Sequence, residues 1–121
     1  MIGLGIDAVD IARFQSTLAR QPRMADRLFT ASERELAARR ADAGAVLAAR
    51  FAVREATMKA LGVGLGAFDF HDVSVVSTAD GRPSLRVQGR AAELARQCGV
   101  SSWHVSISHT EHLAVAVVAA E

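Results

Sequence analysis

Ile2, Leu4 and Ile6 alternate with Gly3 and Gly5 before the chain reaches Asp7. A period of two predicts a short strand with a carboxylate at its C-terminal end. From Asp10 the pattern turns helical, with Ile11, Phe14 and Leu18 on one face. Pro22 ends that stretch or opens the next. Thr30-Ala31-Ser32-Glu33 has capping-box spacing, so a helix starts there and runs to about Arg40. The strongest helical segment is Ala43 to Leu61, rich in alanine, free of proline and stopped by Gly62. Its Ala48, Ala52 and Ala56 form a smooth stripe that lets another element approach closely. Gly62, Gly64 and Gly66 predict a flexible loop.

Farther on, Val73 to Val76 and Leu85 to Val87 read as two strands around an Asp80-Gly81 turn. Ala91 to Cys98 reads as a short helix closed by Gly99. Trp103 to Ser108 and Ala114 to Val118 are two more strands, joined by the polar His109-Thr110-Glu111-His112. There is no repeat, low-complexity tract or linker. One strand, then helices, then two hairpins separated by a helix is an α+β order. A small antiparallel sheet packed around the long helix is expected, in one domain spanning residues 1–121.

Composition narrows the class. Half of the 121 residues are hydrophobic and 22% are charged, the balance of a globular protein. A net charge of +1 gives the molecule no overall attraction for nucleic acid or a membrane surface. No apolar run reaches the ~20 residues of a membrane span, and the N-terminus lacks the basic start of a signal peptide. Cys98 is the only cysteine, which excludes an internal disulfide, suits a reducing cytoplasm and is assigned to packing at a helix end.

The basic residues carry a sharper signal. Thirteen of the 14 are arginine, and the one lysine is Lys59. Either the chain is biased towards arginine, or position 59 needs a compact ammonium that a guanidinium fork cannot replace. Glu55 lies one helical turn before Lys59 and faces the same way, as a surface ion pair or as part of a site. Asp7 and Glu55 together offer two hard oxygen ligands, the pattern Mg²⁺ uses when phosphates and water complete its shell. Lys59 and loop N–H groups then suit phosphate oxygens. His104, His109 and His112 lack the companions of a zinc site, and two of them are assigned to a polar site or the sheet edge.

Three blocks in register resemble a known family: Gly5-Ile6-Asp7 through Arg13-Phe14, Arg50-Phe51-Ala52-Val53-Arg54-Glu55-Ala56 with Lys59-Ala60, and Trp103 to His109. The chain resembles the holo-acyl-carrier-protein synthases, the small bacterial class of 4′-phosphopantetheinyl transferases. The resemblance implies transfer of 4′-phosphopantetheine from coenzyme A to a serine of apo acyl carrier protein, releasing adenosine 3′,5′-bisphosphate. It implies Mg²⁺ on Asp7 and Glu55 and phosphate binding by Lys59. It places coenzyme A against Arg50, His104, Ser106, His109 and the loop of Gly62 and Gly64, and it docks the carrier on Arg13, Arg20, Arg23 and Arg27. Glu55, a metal-bound water and His109 stay open as the base. The family also implies a trimer with sites between subunits, and the small-residue stripe calls for partner surface. Position 54 departs from the family, which usually has lysine there, and this leaves the role of Arg54 open. The competing reading, a non-catalytic Arg-rich domain binding an acidic protein or RNA, explains the arginines but not Asp7, Glu55 and Lys59.

Overall fold

The computed structural model describes residues 1–121 and is organised by one helix. Its elements run β1 (Gly3–Asp10), α1 (Ile11–Arg20), α2 (Met24–Leu28), α3 (Ala31–Ala38) and α4 (Ala43–Leu61). A 3-10 turn (Phe70–Asp72) leads into β2 (Val73–Ser77), β3 (Pro83–Val87), α5 (Gly89–Gln97), β4 (Trp103–His109) and β5 (Leu113–Ala120). One antiparallel sheet has the order β1-β5-β4, and β2 and β3 form a separate hairpin. The fold is the expected α+β arrangement, with α4 packed against β1 and β5.

Small residues on both sides set the depth of that packing. Ala48, Ala52 and Ala56 on α4 are fully buried, as are Ala114, Ala116 and Ala120 on β5. A Cβ on Gly5 would overlap the Ala56 carbonyl oxygen, and one on Gly3 would overlap that of Ala60. The alternating glycines of β1 therefore let its backbone lie directly on the helix. This corrects one expectation: the alanine stripe is covered by the chain's own strands and leaves nothing for a partner.

Helix α4 is buried on nearly all sides and threads two clusters. Its first half meets Ile11, Phe14, Leu28 and Phe29, and its second half meets Val73, Val75, Ala91 and Val118. Gly62 ends it in the left-handed region at φ 71°, where a side chain would be strained.

Helix α3 begins in the predicted capping box. Glu33 N–H donates to Thr30 Oγ1 at 3.3 Å, and Thr30 N–H donates to Glu33 Oε1 at 3.0 Å. The same Glu33 carboxylate accepts a two-point clasp from Arg54, at 2.6 and 3.0 Å. Arg54 is fully buried; its Nε donates to the Phe70 carbonyl at 2.8 Å, and its guanidinium lies 5.3 Å from the centre of the Phe29 ring. One arginine thus ties α3, α4 and the 3-10 turn together. Burial pushes the Glu33 carboxyl up, but the Arg54 bonds and charge, with the Thr30 and Val75 N–H groups, bring it below its ordinary value.

Two local expectations shift. Strand β1 continues past Asp7 to Asp10, because its ladder with β5 runs from Gly3 opposite Ala120 to Asp10 opposite Leu113. Asp7 is therefore mid-strand, and Asp10 is the terminal acid that caps α1 by accepting the Arg13 N–H at 2.9 Å. Cys98 is exposed, because it sits at the C-cap of α5, where the helix leaves the core; it is not a packing residue.

Candidate active site

Asp7 projects from the inner face of β1 towards the last turns of α4. There Lys59 Nζ donates to Asp7 Oδ1 at 3.2 Å and to the Ile6 carbonyl at 2.8 Å. Of the two readings left open for Glu55 and Lys59, the neighbour ion pair does not form: the ammonium bonds the acid across on the strand, since β1 lies so close to the helix. Lys59 is 54% exposed and Asp7 19%. Glu55, one turn back, is half-buried. Burial first, and the nearby Asp7 charge second, push its carboxyl up, and Lys59 partly offsets them.

Asp7 and Glu55 line one open cleft of about 320 Å³ with Asp10, Arg13, Thr17 and Phe51. A second hollow of about 280 Å³ shares Thr17, Phe51 and Glu55 and continues to Met24, Arg27, Leu65 and Phe70. Glu55 and Phe51 thus form the ridge between an acidic half and a more apolar half. The aromatic wall is built in series. Phe14 meets Phe29 edge-on at 6.2 Å and stacks on Phe51 at 5.1 Å; Phe51 in turn meets Phe70 at 6.3 Å. Sequence reading missed Asp10, Thr17 and Phe51 as cleft residues. The spacing of Phe14 and Thr17 on α1 was the available signal, since both fall on the face that α4 meets.

The four arginines expected to dock a partner are all exposed, and none is in an ion pair. Arg13 and Arg20 lie on α1, Arg23 in the break that follows it, and Arg27 on α2. Arg13 reaches the acidic cleft, and Arg27 the apolar one. Arg23 and Arg27 share a further hollow with Pro22 and Met24. His71, which the sequence left unassigned, holds this segment through its Nε2 contact with the Asp26 carbonyl at 2.6 Å.

The remaining expected site residues do not meet the acids within one chain. His104 and Ser106 stand opposite Ala119 and Val117, which stand opposite Leu4 and Ile6, so they lie on the outer face of the sheet. Asp7 lies on the inner face. His109 is at the far end of β4, with Nε2 3.9 Å from Asp42 before α4, whereas Glu55 lies thirteen residues on, about 20 Å along the helix. Arg50 points into the Glu33–Arg54 region, 4.0 Å from Glu33, with its buried Nε unpartnered. Burial lowers its pKa, against the pull of Glu33. Gly62 and Gly64 form the turn beyond α4, with open space where a side chain would stand. Arg54 lies outside the cleft.

An acid pair and a lysine brought together by β1 and α4, beside an aromatic ridge and exposed arginines, suit phosphoryl transfer. The family comparison agrees: residues 3–118 match the 4′-phosphopantetheinyl transferase superfamily, and the chain belongs to it. Among curated relatives, holo-[acyl-carrier-protein] synthases from Frankia casuarinae and Streptomyces coelicolor are 49% and 48% identical, across all of this chain and 98% of each relative. The holo-[acyl-carrier-protein] synthase structure from Neisseria meningitidis superposes with a TM-score of 0.90 at 28% identity, covering 100% of this chain and 98% of that one. The Helicobacter pylori synthase, solved in complex with coenzyme A, gives a TM-score of 0.84 at 31% identity, covering 98% and 99%.

Proposed function

We infer that this protein transfers 4′-phosphopantetheine from coenzyme A to a serine hydroxyl of apo acyl carrier protein, releasing adenosine 3′,5′-bisphosphate. The observation that carries the reading is the convergence of Asp7 and Glu55, from two elements far apart in sequence, on one cleft beside Arg13, with Lys59 bonded to Asp7. The coenzyme A complex of a full-length structural neighbour supports the donor.

The reaction displaces adenosine bisphosphate from the β-phosphorus of a diphosphate, so positioning and charge neutralisation carry most of the catalysis. Two carboxylates close enough for one to raise the other's pKa suit a hard divalent cation, and Asp7 and Glu55 would hold Mg²⁺. Bound there, Mg²⁺ supplies positive charge to the diphosphate oxygens. Lys59 offsets charge building on the leaving phosphate, and its exposed stem lets it reach outward. Of the two side-chain base candidates, Glu55 lies in this cleft. Arg13, Arg20, Arg23 and Arg27 present positive charge to an acidic carrier protein.

The site is completed by a second copy of the chain. His104, Ser106, His109, Gly62 and Gly64 are reserved for coenzyme A, but one chain keeps the histidines and serine away from the acids. The outer sheet face that carries His104 and Ser106 also exposes Ile2, Leu4, Ile6 and Leu113, with Leu4 at 59% and Ile6 at 58%. Such an apolar face favours association, and a homotrimer with sites between subunits accounts for both features. A cytoplasmic setting agrees with the exposed free thiol of Cys98.

The deciding experiment incubates apo acyl carrier protein with coenzyme A, Mg²⁺ and the protein, and follows the carrier by mass spectrometry. Gain of one phosphopantetheine mass on its serine, lost under chelation, is the expected result. An unchanged carrier mass overturns the assignment. Sedimentation equilibrium is expected to give three chains for the parent and one for Leu4→Glu.

A further inference from the structure

Lys59 is held by two oxygens, the Ile6 carbonyl at 2.8 Å and Asp7 Oδ1 at 3.2 Å. The carbonyl bond fixes the ammonium beside the same carboxylate that the proposed metal site uses. A dication on Asp7 would then stand within a few ångströms of an ammonium, and the two charges repel. Yet Lys59 is 54% exposed on a flexible stem, and one of its three N–H donors is unused here, so it can leave Asp7 when another anion offers better contacts. We propose that Lys59 is the internal counter-cation of the Asp7–Glu55 pair: it competes with a divalent cation for Asp7 until a diphosphate draws the ammonium away. The inference rests on the Mg²⁺ reading above and adds an order to it.

Two consequences follow from this geometry. Cation binding by the protein alone is weak, so the acids are not filled without a phosphate ligand. Cation and diphosphate also tighten each other by the same factor, because binding couplings are reciprocal. The contact accounts for lysine at position 59 as well. A guanidinium would grip the Asp7 carboxylate with a planar fork, whereas an ammonium holds it by a single N–H.

The test titrates Mn²⁺ into the full-length protein without coenzyme A and follows free Mn²⁺ by electron paramagnetic resonance. Lys59→Met and Lys59→Gln are expected to tighten Mn²⁺ binding by about tenfold. Arg13→Met, which removes a cleft cation that bonds no carboxylate, leaves it nearly unchanged. Mg²⁺ is expected to raise the melting temperature of Lys59→Met more than that of the parent. Lys59 variants that bind Mn²⁺ no more tightly than the parent, with binding lost in Asp7→Asn, overturn the competition and leave the metal site standing. A gain in Arg13→Met equal to that in Lys59→Met also overturns it, since general charge would then suffice. Mn²⁺ binding unaffected by both Asp7→Asn and Glu55→Gln overturns the metal site itself.

Discussion

Helix α4 carries two ion pairs whose basic residues are five positions apart, and they differ in every physical respect. Arg54 is fully buried, meets Glu33 through two bonds and also donates to the Phe70 and Arg50 carbonyls. Lys59 is more than half exposed and touches Asp7 once. The first pair replaces water on all sides, so losing one partner strands a buried charge. The second pair gains little in high dielectric and breaks at little cost. Rigid charge ties α3, α4 and the 3-10 turn together, and loose charge remains available for chemistry. Arginine at the departing position 54 therefore has a structural meaning: its fork matches a carboxylate that is already committed to capping α3.

The sharpest way to break the contrast is to remove the acids of the loose site. Asp7→Ala and Glu55→Ala are each expected to lower turnover on the order of 10³-fold. Their unfolding transitions are expected to stay cooperative, as followed by circular dichroism. Wild-type turnover in either variant would show that the acids are not the site.

Next comes the rigid pair. Arg54→Met is expected to cost about 3–5 kcal/mol in urea unfolding, because Glu33 is left buried and unpaired. Arg54→Lys keeps the charge but gives up the two-point clasp, and is expected to lie between it and the parent. A loss below about 1 kcal/mol in Arg54→Met would place this pair in the same class as a surface one.

Lys59→Arg inverts the pattern. Stability is expected to change by less than about 1 kcal/mol, while turnover falls about 10²-fold through misplaced charge. Parent-like turnover would mean that position 59 needs only a cation.

Charge reversal at Arg13 and Arg20 probes a third regime, exposed arginines with no partner in the chain. The Arg13→Glu/Arg20→Glu variant is expected to raise KM for acyl carrier protein roughly tenfold and to flatten its salt dependence. The KM for coenzyme A stays near the parent value. The opposite split would assign these arginines to nucleotide phosphate.

The smallest effect is in pH. Glu55 is held above its ordinary value of 4.5, so stability is gained as pH falls through its raised folded-state value. Glu33 is held below 4.5, so its contribution is complete above that value and drains as pH falls through its lowered folded-state value. Urea midpoints are expected to rise slightly from neutral pH towards 4.5 and to drop below it. Glu55→Gln is expected to erase the rise alone, and a parent curve flat across both limbs would contradict both shifts.

Local patterns were legible wherever the physics is local. The capping box at Thr30, the glycine stop at Gly62, the hairpin turn at Gly81 and the span of α4 follow from side-chain spacing and backbone freedom, which act within a few residues. Asp7, Glu55 and Lys59 were legible as candidate chemistry because each is a charged residue among apolar ones. Tertiary structure alone decided which of them touch. Lys59 bonds Asp7 and not its helical neighbour, because Gly3 and Gly5 let β1 settle onto the α4 backbone. Tertiary structure also fixed Arg54 on Glu33, turned the alanine stripe inward, carried β1 on to Asp10 and put His104 and Ser106 behind the sheet. Sequence spacing specifies a direction along one element. Which charges end up within a few ångströms depends on how elements pack, and that is set by the volume of residues distant in the chain.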